Sequence, residues 1–75
     1  MAAYLEAILE ERDSALVAAA LGDIARAKGL NKISRQTGIG RQHLNRALSL
    51  KGNPEFSTVL KVVHALGLKL HASAD

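Results

Sequence analysis

Within the six residues from 41 to 46 the chain carries Arg41, Gln42, His43, Asn45 and Arg46, with Leu44 among them. Guanidinium and amide side chains of this kind pair with base edges in a DNA major groove, and basic ones also hold phosphate oxygens. Leu44, Ala47 and Leu48 recur at i, i+3 and i+4 through the same stretch, so a helix here turns its apolar stripe inward and the polar residues outward. The chemistry on offer is hydrogen bonding and charge rather than bond making.

Such a helix needs a platform, and the preceding residues supply one. The stretch LNKISRQTGIGRQHLNRAL, residues 30–48, reads as two short helices joined by a tight turn. Ile33 and Thr37 lie four apart on one face of the first helix, with small Ser34 beside them where the second helix crosses close. Gly38 follows at a position where a helix end commonly turns left-handed, and Ile39 offers an apolar plug. This is the pattern of a helix-turn-helix whose basic, amide-rich second helix enters a major groove. A helical hairpin with a solvated polar face meets the same periodicity, and the distribution of charge favours the first reading.

That distribution is uneven. Residues 1–25 hold five acids (Glu6, Glu10, Glu11, Asp13, Asp23) against Arg12, a net of −4, while residues 26–75 hold nine Lys or Arg against Glu55 and Asp75, a net of +7. The basic part contains the two-helix stretch, as a phosphate-binding surface requires. The acidic start would be repelled by DNA and is expected to lie away from it, as a cover for the core or a surface for another partner.

Other chemistries find little support. His43, His64 and His71 match no ligand spacing, and there is no Cys to assist a metal or to form a disulfide. No Ser/His/Asp set, phosphate-cradling Gly loop or convergent carboxylate pair is present, so no enzyme activity and no cofactor are expected. No apolar run approaches the roughly 20 residues that span a bilayer. Glu6, Glu10 and Glu11 stand where a secretory signal would carry Lys or Arg, so a cytoplasmic location is expected.

Seventy-five residues make one domain with a thin core, since much of the 48% hydrophobic content is Ala and the aromatics are Tyr4 and Phe56. Residues 3–12 form an amphipathic acidic helix with Tyr4, Leu5, Ile8 and Leu9 inward. Asp13-Ser14 interrupts it and offers a cap. From Ser14 to Lys28 runs an Ala-rich helix with Leu16, Ala20, Leu21, Ile24 and Ala27 as its buried stripe, closed by Gly29. Gly22 inside it costs about 1 kcal/mol relative to Ala unless a neighbour packs closely there. Arg26 and Lys28 suit the dipole of that helix's own last turn. After a loop over residues 49–54, Asn53-Pro54 opens a helix from about Glu55 to Leu66, with Phe56, Val59, Leu60, Val63 and Leu66 inward and Gly67 as its stop. Residues 68–72 alternate as a strand would, and one strand pairs with a second copy or a partner protein, or frays.

Taken together, Gly38-Ile39-Gly40, the Gly52-Asn53-Pro54 loop and the run FSTVLKVVHALGLKL resemble the Xre/Cro-type helix-turn-helix family. More narrowly, YLEAILEE, LGDIARAKGLNKISRQTG, LNRALS and GNPEFSTVLKVVHALGLKL resemble addiction-module antidotes of HigA type, from about Tyr4 to Leu70. The resemblance implies an all-α, five-helix, lambda-repressor-like domain with a short C-terminal strand or extended tail. It implies an antitoxin that neutralises a RelE/HigB-like mRNA-cleaving toxin and, as a homodimer on double-stranded operator DNA, represses its own operon. Carried across by position, base readout falls on Arg41, Gln42 and Arg46 with Asn45 beside them. Phosphate contact falls on Lys32, Arg35 and Lys51 with Asn31, and Gly40 and His43 complete that set. Gly40 departs from the Ser or Thr usual at its position, and Ser34 from the usual Ala. A stand-alone prophage-type regulator and a protein-interaction module with a vestigial helix-turn-helix are the alternatives.

Overall fold

A computed structural model describes residues 2–71. Five helices account for most of them: α1 (Ala2–Glu10), α2 (Ser14–Lys28), α3 (Leu30–Thr37), α4 (Arg41–Ala47) and α5 (Phe56–Ala65). No strand occurs among the described residues. Residues 68–71 of the expected strand carry no regular structure, and Ala72 lies outside the described residues.

α2 begins where local chemistry dictates. The Asp13 carboxylate accepts from the N–H groups of Ala15 (3.0 Å) and Leu16 (3.4 Å), which satisfies two of the donors that every helix start leaves open. The helix packs against α1, α3, α4 and α5 and is the centre of the fold. Its small residues explain how four neighbours fit: Ala18, Ala20, Gly22 and Ala25 are all buried. Burial on most sides also revises the expected stripe, because Leu16 is 37% exposed and Ala27 is exposed, while Leu21 and Ile24 are buried as expected. One residue, Gly29 at φ 107°, separates α2 from α3 and caps both.

The core joins Leu5 of α1, Leu21 and Ile24 of α2, Ile33 of α3, Leu44 and Leu48 around α4, and Val62, Val63 and Leu66 around α5. It contains no aromatic ring. Tyr4 (47% exposed) and Phe56 (70% exposed) stand outside it, and so do Leu9 and Leu60. The inward face of α5 is turned toward Thr58 and Val62, because α2 and α3 cover that side. α5 also starts later than expected. Glu55 is its N-cap, and Asn53 and Pro54 belong to the loop before it. Beyond α5, the Leu68 N–H bonds the Val63 carbonyl (3.1 Å) and the Gly67 N–H bonds that of His64 (3.0 Å). This left-handed glycine closure turns Leu68 back onto the core, which a free strand would not do.

Candidate nucleic-acid interface

α3 and α4 are joined by Gly38, Ile39 and Gly40. Gly38 adopts φ 73° and ψ 11°, the left-handed conformation expected of it, and its N–H bonds the Ser34 carbonyl at 2.9 Å. Two hydroxyls brace the turn. Ser34 Oγ donates to the Ile39 carbonyl (2.6 Å), while Thr37 Oγ1 donates to the Ile33 carbonyl (2.8 Å) and accepts from the Ile39 N–H (3.2 Å). Ser34 is therefore more than a small residue at a crossing, since an Ala there would leave the Ile39 carbonyl without this donor. With Ile39 packed on the core, the turn holds α4 at a defined angle to α3.

α4 anchors itself through Leu44 and Leu48, both fully buried. The ten residues singled out by the sequence are all exposed: Asn31, Lys32 and Arg35 on α3, Gly40 at the turn, Arg41, Gln42, His43, Asn45 and Arg46 on α4, and Lys51 in the loop beyond. Gln42 and Arg46, four apart and opposite Leu44 and Leu48, form the outward stripe. Arg41 Nη1 donates to Asn31 Oδ1 (3.0 Å), which ties the first turn of α4 to α3. Among the described residues the side chains of Lys32, Arg35, Gln42, Arg46 and Lys51 make no hydrogen bond or ion pair within the chain, so they are open to a ligand. Gly40 caps α4 without a side-chain bond.

Asn45 is differently placed. It lies on the flank of α4 that faces α2, and its Oδ1 accepts from Arg26 Nε at 3.0 Å. Arg26 Nη2 goes on to the carbonyls of Asn45 (3.4 Å) and Leu48 (3.2 Å). Sequence reasoning gave Arg26 to the dipole of its own helix and missed this role. The signal that could have found it is Gly22, one turn before Arg26. A Cβ at Gly22 would overlap the Leu48 carbonyl oxygen and come within 2.8 Å of Arg26 Nη1. The helix-weakening Gly is there because the end of α4 docks against it.

The arrangement presents a basic, amide-bearing ridge on α3 and α4. The described residues include no group of His, Cys, Asp or Glu that could hold a metal ion, and no helix among them is long and apolar enough to cross a membrane. No solved structure matches the chain. An uncharacterized protein of Haemophilus influenzae is 52% identical over 66 residues, covering 88% of this chain and 68% of that protein. The family described as "Probable addiction module antidote protein" matches residues 1–74. With all but one residue inside that match, the chain belongs to the family of probable addiction module antidote proteins.

Proposed function

We propose that this antidote is a non-enzymatic, cofactor-free DNA-binding antitoxin that represses its own operon and neutralises a RelE/HigB-like toxin in the cytoplasm. The observation that carries the reading is the split of α4 into a fully buried apolar face, Leu44 and Leu48, and an exposed face bearing Arg41, Gln42 and Arg46. In this Xre-type reading α4 is the recognition helix of duplex operator DNA. Arg41, Gln42 and Arg46 read base edges, while Asn45, bonded to Arg26, lies on the flank beside them. Lys32, Arg35 and Lys51, with Asn31, Gly40 and His43, hold the phosphates. The bond from Arg41 to Asn31 supports this division, because it orients the guanidinium before any DNA arrives. A homodimer would set two α4 helices about 34 Å apart for half-sites one turn from each other. The acidic face of α1, with Glu6 and Glu10 exposed, is suited to the toxin rather than to DNA.

The test is a salt titration of binding to the protein's own promoter DNA and to unrelated DNA. Arg41→Ala is expected to cost about 1–3 kcal/mol on the promoter and to relax preference at one base pair. Lys32→Ala is expected to weaken both DNAs alike and lower the salt slope by about one. Glu10→Gln leaves both untouched. Equal weakening of both DNAs by Arg41→Ala removes base reading from α4, and no effect of any variant favours the interaction-module alternative.

A further inference from the structure

α4 spans seven residues, too short to hold its shape by its own hydrogen bonds, and its N-cap offers no side chain. Beyond the braced turn before it, its C-terminal end is held by a residue 19 to 22 positions away in sequence. We propose that Arg26 of α2 and Asn45 of α4 are a positioning pair that fixes the C-terminal end of α4, and that neither reads or grips DNA. The proposal deepens the DNA-binding reading and rests on it only for the consequences on DNA.

Two of the three guanidinium nitrogens bond the end of α4. Nε donates to Asn45 Oδ1 (3.0 Å), Nη2 to the carbonyls of Asn45 (3.4 Å) and Leu48 (3.2 Å), and Nη1 lies 3.7 Å from Asp23 Oδ1. An arginine here satisfies carbonyls that a helix C-terminus leaves open, and its charge suits the negative end of the helix dipole. Because Nε is a donor only, the amide of Asn45 must turn its oxygen toward α2. That commits Asn45 to the clamp and away from the outward stripe of Gln42 and Arg46. A phosphate ligand is disfavoured at Arg26 on two counts: its donors are directed at protein, and the Asp23 carboxylate beside it would repel a second anion. Gly22 completes the device, since only a residue without a Cβ lets the Leu48 carbonyl come down onto α2 beside Arg26.

The experiment uses the full chain with Arg26→Gln, Arg26→Lys, Asn45→Ala and the double variant Arg26→Gln/Asn45→Ala. Native-state hydrogen exchange without DNA follows the Leu48 amide, which bonds Leu44, and the Leu66 amide, which bonds Val62 as a control. Arg26→Gln and Asn45→Ala are each expected to speed exchange at Leu48 about fivefold or more, with Leu66 unchanged. The double variant is expected to be no faster than Arg26→Gln, and Arg26→Lys to recover part of the protection. Unchanged exchange at Leu48 overturns the proposal, and so does equal acceleration at both amides, which marks only a general loss of stability. On promoter DNA, Arg26→Gln is expected to lose discrimination against unrelated DNA with its salt slope unchanged. A slope lowered by about one overturns the proposal by making Arg26 a phosphate contact. If the wild-type chain binds both DNAs equally while Leu48 still responds to Arg26, the DNA reading fails and the positioning pair stands.

Discussion

At its N-terminal end α4 starts on Gly40, which supplies no capping oxygen and around which a Cβ would meet nothing within 4 Å. At its C-terminal end the chain closes in from several directions. Arg26 reaches the carbonyls of Asn45 and Leu48, Ser49 Oγ donates to the Arg46 carbonyl (2.8 Å), and both Gly22 and Gly52 sit where a Cβ would overlap backbone of residues 46–48. The open end carries Arg41 and Gln42, the side chains proposed to enter the groove. The difference teaches how a seven-residue helix can present an exposed polar face while its closest backbone packing lies at the opposite end. That packing is at the C-terminal end, so the leading end stays polar and accessible. Two unlike demands on glycine mark the same division: Gly38 is required for its left-handed backbone, Gly22 and Gly52 for close approach.

Four substitutions break or sharpen this contrast. The largest effect is expected at the buried centre, which both ends share. Leu44→Ala should destabilise the fold by about 2–5 kcal/mol in chemical denaturation, because Leu44 is fully buried and its loss leaves a cavity. A change below about half a kcal/mol would remove Leu44 from the core and leave α4 unanchored. Next comes the tight end. Gly22→Ala would gain up to about 1 kcal/mol of helix propensity. The new Cβ, however, meets the Leu48 backbone carbonyl, which cannot rotate away as a side chain would, so a net loss of about 1–3 kcal/mol is expected. A more stable Gly22→Ala protein would show that the docking of α4 is looser than its geometry. Ser49→Ala removes one hydrogen bond from the same end and should cost about 1 kcal/mol in thermal unfolding, with exchange at the α4 amides raised. The smallest effect belongs to the open end. Gly40→Ser adds a capping oxygen into empty space and should stabilise by a few tenths of a kcal/mol. A loss there would mean that the N-terminal end is more crowded than the fold indicates.

Much of the candidate interface was legible in advance. The exposed positions on α4 follow from the spacing of Leu44 and Leu48, and the left-handed Gly38 follows from where the first helix must stop. Asn45 could not be separated from its neighbours in that way, since its partner Arg26 is 19 residues distant and belongs to another helix. Faces fared less evenly than boundaries. Periodicity points Leu9, Leu16, Phe56 and Leu60 inward, and all four are exposed. Ala18, Ala25, Thr58 and Val62 take the buried places because those are the sides on which other helices lie.

What the sequence by itself determined was local: the span of α2 between Asp13 and Gly29, the turn at Gly38, the stop at Gly67 and the apolar pair Leu44 and Leu48. Caps, left-handed glycines and i, i+4 pairs involve residues within about one helical turn of each other, so their energies are settled before the chain folds back on itself. Tertiary structure alone decided which sides of α1, α2 and α5 are covered, why Gly22 is glycine, and where the guanidinium of Arg26 goes. Those outcomes depend on groups about twenty residues apart being brought within 3 to 4 Å, and no local rule contains that distance.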